Sequence, residues 1–194
     1  AAFEYWGNVS GITFIKVEDN ANMCGDIRIA LASGFGESFG WSNVPSYYQG
    51  ENNSAANDIW IKSYYDQWDG SWPAYNHWFL IHEIGHSLGL AHPHDDYYST
   101  VEQNTAVYTV MSYIGWAYIQ NPWPGYEVGD ELFIDQLGIN DIKTIQYLYG
   151  MTPNFNNGNT VYTYTGPIYT TIYDTDGIDT IDVSSYTIDI TLDL

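Results

Sequence analysis

At 194 residues, with 24 acids against 4 Lys and Arg and a formal charge of -20, the chain can bury a sizeable core but has the wrong sign for a nucleic-acid backbone. No apolar run approaches the roughly 20 residues a spanning helix needs, and a single cysteine, Cys24, excludes an internal disulfide. Aromatic residues at 18% beside charged residues at 14% exclude a disordered acidic tail, which leaves packing and bound cations as stabilising forces.

In chain order, residues 3–6 read as the tail of a helix, and residues 12–17, 26–31 and 58–62 as short strands with alternating or β-rich content. A helix is expected to start at residues 73–75, where proline is tolerated in the first turn. It should bury Trp78, Phe79, Ile81, Ile84 and Leu88 and stop at Gly89. A second helix is expected over residues 134–148, burying Leu137, Ile142, Ile145 and Leu148 before Gly150. Beyond Pro153 the composition shifts to Asn, Gly, Thr and Tyr alternating with Ile and Val, which predicts one unit over 1–152 and a β-rich tail over 153–194. Residues 1–6 lack the basic and apolar regions of a signal peptide, so any export signal is expected outside this chain, and residues 187–192 still alternate where the sequence stops, so the polypeptide is expected to continue there or to have been trimmed by processing.

The densest chemistry lies in His82-Glu83-Ile84-Gly85-His86-Ser87-Leu88-Gly89-Leu90-Ala91-His92. Residues four apart share a helix face, so His82 and His86 can offer imidazole nitrogens to one ion at roughly 2.0–2.1 Å. Gly89 can take the left-handed backbone that ends a helix, turning the chain so that His92 approaches from another side. Three neutral histidines leave a coordination position open for water, and Glu83 stands beside it as acid and base, the requirements of peptide hydrolysis. Three of only five histidines are used. The other two, His77 and His94, read as surface or supporting residues.

Pro93 after the third histidine, and Thr109-Val110-Met111-Ser112-Tyr113 about twenty residues on, complete a pattern that resembles the serralysin family of metzincins. Residues 142–150, ending Leu148-Tyr149-Gly150, resemble the family's second conserved helix, and the likeness runs over roughly residues 3–185. It implies an α+β zincin-like catalytic domain with a mixed twisted sheet, a zinc-binding helix, a Met-turn and a short β-rich appendage. It further implies a secreted, extracellular bacterial zinc endopeptidase, with polypeptide substrates and a proteinaceous inhibitor as candidate partners. Nucleic acid and membrane are not expected partners. By the same likeness Met111 forms an apolar floor under the zinc, and Tyr113 is an additional zinc ligand that swings away to stabilise the oxyanion. Taken alone, Met111 and Tyr113 read as ordinary core and surface residues.

The likeness also makes Phe39-Gly40-Trp41-Ser42 the edge strand above a substrate cleft, where residues alone allow an ordinary surface loop, and puts a specificity wall at residues 115–126. Asp174, Asp176 and Asp179 resemble the calcium-binding entry to a β-roll, with a solvated acidic turn as the alternative. Residues 161–172 are shorter than the family's corresponding segment, and its glycine-rich nonapeptide repeats are absent. Cys24, just before an expected strand, reads as a small buried thiol rather than as a ligand withheld by a propeptide. The rival from another class is a noncatalytic calcium-binding or interaction module with a structural zinc site; Glu83 argues against it, because a structural site has no use for a base.

Overall fold

The computed structural model describes residues 2–20, 22–33, 40–42, 57–62, 73–95, 100, 103–114, 136–164, 170–187 and 189. Helix α1 (Ala2–Val9) carries Trp6 and Val9 on its buried side. The Trp6 indole N–H donates to the Ile81 carbonyl at 3.1 Å, and the Ser10 hydroxyl returns to the Trp6 carbonyl at 2.7 Å to close the helix end. Residues 12–17, expected as a strand, pair with nothing among the described residues: Phe14 packs on Phe3 with ring centroids 5.0 Å apart, and Ile15 is exposed. The alternation there reflects one edge of the chain lying against α1, not a sheet.

Three short strands form a mixed sheet in the order β1-β3-β2. Strand β1 (Ile29–Ala32) runs parallel to β3 (Ile59–Lys62), pairing Ile29 with Ile59. Strand β2 (Gly40–Ser42) runs antiparallel on the other side, pairing Trp41 with Trp60. The first strand begins at Ile29 rather than at residue 26, because Arg28 turns its backbone N–H and guanidinium onto buried Asp58, with contacts of 3.1, 3.1 and 2.5 Å. Central β3 buries Ile59, Ile61 and Lys62, as a strand covered on both edges should.

Helix α2 (Pro73–Ser87) packs against this sheet and α1, and the anticipated Trp78, Phe79, Ile81, Ile84 and Leu88 are all buried. Helix α3 (Ile139–Tyr149) starts later than expected, since residues 136–138 are not helical; residues 134–135 lie outside the described residues. Leu137, Ile142 and Ile145 are buried as anticipated, but Leu148 is about half exposed. Tyr149, likewise exposed, donates its hydroxyl to the Leu88 carbonyl at 2.9 Å. Cys24, expected to be buried, is exposed on the loop before β1.

Strands β4 (Val161–Thr163) and β5 (Thr180–Asp182) pair in parallel as a separate two-stranded sheet. Among the described residues the fold is thus mixed α and β, with the larger sheet and the three helices around one core. No helix there is long and apolar enough to cross a membrane.

Candidate metal centre

The centre is built by the end of α2. Gly89, at φ +102°, donates its N–H to the His86 carbonyl at 2.9 Å, and Leu90 donates to the Gly85 carbonyl at 3.0 Å. These two bonds are the paired closure of a Schellman turn, which a side chain at position 89 would strain. The turn brings the Leu90 carbonyl back over His86, whose Nδ1 lies 2.8 Å from it. His82 Nδ1 similarly lies 2.7 Å from the Val110 carbonyl.

A carbonyl can only accept, so both Nδ1 atoms carry the proton and both Nε2 lone pairs are free to face inward. His92 follows the turn and meets them: its Nε2 is 3.2 Å from that of His82 and 3.0 Å from that of His86. Nitrogens held tetrahedrally at about 2.05 Å from one ion would stand about 3.3 Å apart, so this donor set fits zinc. Burial pushes the His82 imidazole down to about 3 and the His86 imidazole down to about 4, and lowers that of His92 as well. All three rings are therefore neutral near pH 7, the state in which an imidazole can bind a metal.

His92 is oriented from outside. Pro93–Asp95 form one turn of 3-10 helix, and Asp95 Oδ2 reaches His92 Nδ1 at 3.2 Å. That contact gives the third ring the same tautomer as the other two and supplies the carboxylate common behind metal-bound histidines. His94 stacks on His92 at 4.7 Å between centroids, whereas His77 lies against Tyr5 at 5.2 Å.

Glu83, one residue past His82, is buried, and its Oε2 has no hydrogen-bond partner among the described residues. Burial pushes its carboxyl up to about 7, with a backbone hydrogen bond from Ser42 opposing the shift. A carboxylate so placed exchanges protons near neutrality. The Tyr113 hydroxyl lies 2.7 Å from His92 Nε2, and its ring stacks on His82 at 5.3 Å. Desolvation, then the charges of Glu83 and Asp95, raise its pKa above the ordinary 10.0, so the phenol keeps its proton. Met111 is buried within the core.

Of the remaining anticipated residues, Gly40, Trp41 and Ser42 form β2, on the edge of the described sheet, and Ser42 Oγ meets Ser87 Oγ at the end of α2 at 2.8 Å. Phe39 and residues 115–126 lie outside the described residues. In the tail, Asp174 accepts the Tyr162 hydroxyl at 2.6 Å, Asp176 accepts the Gly177 N–H at 2.9 Å, and Asp179 accepts the Thr160 N–H at 3.0 Å. Asp174 and Asp179 thereby tie this turn to residues 160–162, and among the described residues the groups close enough to share an ion are His82–His86–His92 and His92–His94–Asp95.

Asp95 and Asp141 belong to the site but escaped the sequence reading. Asp95 was signalled by its position three residues after His92 behind a proline. Asp141, whose carboxylate reaches the chain around Met111, was signalled by its spacing three residues after Gly138, the pattern of a helix start.

No family model matches the chain. It is 28% identical to serralysin G of Dickeya chrysanthemi over 211 residues, which cover 95% of this chain and 42% of that protein. It is 28% identical to the serralysin of Photorhabdus laumondii over 97% of this chain, and 27% identical to the metalloprotease AprA of Pseudomonas entomophila over 96%, each match covering 42% of the relative. The chain thus spans less than half the length of these curated relatives. With 27–29% identity to several serralysins along nearly its whole length and a three-histidine cluster at the end of its central helix, the chain is similar to the serralysin family of metzincins.

Proposed function

We propose that this chain is the zincin-like catalytic part of a secreted bacterial zinc endopeptidase that hydrolyses extended polypeptides. The observation that carries the reading is a buried carboxylate, Glu83, next in sequence to one of three imidazoles whose Nε2 atoms converge. His82, His86 and His92 would hold the zinc. When bound, zinc supplies Lewis acidity toward water and the scissile carbonyl.

Glu83 accepts a proton from the attacking water and returns it to the departing amine, so that one N–H and one C–OH replace the C–N bond. The Tyr113 phenol donates to the carbonyl oxygen as negative charge builds on it. Strand β2, at the edge of the sheet among the described residues and with Trp41 partly exposed, suits an added substrate strand whose backbone bonds are indifferent to sequence. Ser42 links that edge to Glu83 through its backbone and to Ser87 through its hydroxyl, so the strand and the base move as one body. Residues 1–152 form the catalytic unit and 153–194 a tail in which Asp174, Asp176 and Asp179 take calcium after rearranging their present hydrogen bonds.

The test is zinc content and casein cleavage on one purified sample, with chelator, then with zinc and calcium restored separately, alongside Glu83→Gln. About one zinc per chain, activity restored by zinc, and a Glu83→Gln protein that holds zinc but has lost at least about 100-fold in turnover support the reading. Substantial turnover by that variant removes Glu83 from its role, and zinc without any cleavage points to the noncatalytic module.

A further inference from the structure

The most deeply buried acid near the centre is Asp141, which none of the proposed steps uses. Its side chain is 1% exposed and its three partners are neutral donors: the Thr109 hydroxyl at 2.6 Å, the Val110 N–H at 2.8 Å and the Gly138 N–H at 2.8 Å. An anion buried without a cation is expensive, and an apolar side chain would fill such a place at less cost to the fold. Its retention fits a task directed at something else.

The hydrogen bonds lead to the metal centre. The Thr109 hydroxyl, while donating to Asp141, accepts the Met111 N–H at 3.1 Å. That N–H belongs to the same peptide unit as the Val110 carbonyl, and this carbonyl accepts from His82 Nδ1 at 2.7 Å. The sequence is therefore carboxylate, hydroxyl, peptide, imidazole, with each donor pointing toward the carboxylate end. Bonds aligned in this sense polarise one another. The negative end makes the Val110 carbonyl a stronger acceptor, which makes the His82 ring a better donor at Nδ1 and a more basic ligand at Nε2. The direct bond from Val110 N–H adds a second restraint, fixing where that carbonyl points.

We propose that Asp141 is a positioning residue of the metal centre, acting through Thr109 and the Val110–Met111 peptide to hold His82 in its ligating tautomer, orientation and basicity. This inference rests on His82 being a metal ligand, as proposed above. The counterpart on the third histidine is direct, Asp95 on His92; His82, buried under Val110, receives its carboxylate at two removes.

The experiment uses the full chain. Zinc affinity is measured by competition with a chromophoric chelator, and the visible spectrum is recorded after cobalt replaces zinc, for the wild type, Asp141→Asn, Thr109→Val and Ile145→Ala. Asp141→Asn keeps shape but removes the charge, and Thr109→Val keeps shape but breaks the relay. Ile145→Ala hollows the same helix without touching the relay and controls for loss of stability. All measurements are made well below the lowest melting temperature. The expected result is a loss of about 10–100-fold in zinc affinity with a displaced cobalt band for Asp141→Asn and Thr109→Val, and neither change for Ile145→Ala. Zinc binding by both relay variants within about twofold of wild type, or an equal loss in Ile145→Ala, overturns the inference while leaving the metal centre standing. A wild-type protein that binds no zinc overturns the metal centre itself and this inference with it.

Discussion

Gly138 lies where the start of α3 crosses the chain just before Met111, and replacing it by alanine tests how tightly the two are joined. Its backbone, at φ -79° and ψ 169°, is one any residue can adopt, so only space is at issue. A Cβ there would stand 2.6 Å from the Thr109 nitrogen and closer still to the Tyr108 carbonyl, where 3.4 Å is ordinary contact. All three nearest atoms are backbone, so no side chain can step aside, and the two segments must part by about 1 Å. Three bonds cross that junction: the Asn140 N–H to the Tyr108 carbonyl at 3.0 Å, the Val110 N–H to Asp141 at 2.8 Å and the Thr109 hydroxyl to Asp141 at 2.6 Å. With about 0.5–1.5 kcal/mol for each bond weakened and about 1–3 for overpacking, less about 0.5–1 for the lost glycine entropy, the net destabilisation is about 1.5–7 kcal/mol. For a chain of this size the metal-free melting temperature should fall by about 3–25 °C in a calorimetric or circular-dichroism melt. A variant melting within about 1 °C of wild type refutes the close crossing.

Glu83→Gln carries a pH signature as well as a kinetic one. Burial raises the folded-state pKa from 4.5 to about 7, so the carboxyl's contribution to stability is fully present below 4.5 and lost as pH rises through 7. Glutamine has no such term: with chelator present, the variant should gain stability relative to wild type between pH 5 and 8, by up to on the order of 3 kcal/mol, and a gap independent of pH counts against the buried carboxylate. Tyr113→Phe should lower turnover by about 100-fold with little change in KM or melting temperature, since the side chain is 60% exposed; an equal rise in KM would make Tyr113 a binding group instead. Asp95→Asn should weaken zinc binding by about 10-fold while leaving the metal-free melt unchanged, read by chelator competition.

How much of this was legible in the sequence depends on how far apart the interacting residues lie. The helix period placed His82 and His86 on one face and Trp78, Phe79, Ile81 and Ile84 on the buried side, and the glycine rule placed the turn at Gly89; each is settled within about one turn of chain. Local pattern misled where packing came from elsewhere. Residues 12–17 alternate like a strand but have α1 as their neighbour, and Leu148 falls in the last turn of α3, where it and Tyr149 both remain exposed.

The support of the centre is nonlocal, and that is why it went unread. His82 meets Val110 across 28 residues, and Asp141 meets Val110 across 31, so neither spacing has any periodic signature. What the sequence did carry was a local trace of the distant contact: an aspartate three residues after a glycine at the start of a helix, which ordinarily caps that helix alone. Here one oxygen of Asp141 caps Gly138 and also takes Val110, while the other takes Thr109. The cap and the anchor of the chain around Met111 are thus one carboxylate. A change that removes it must move the helix start and the His82 support together, whereas a change that merely hollows the helix need not.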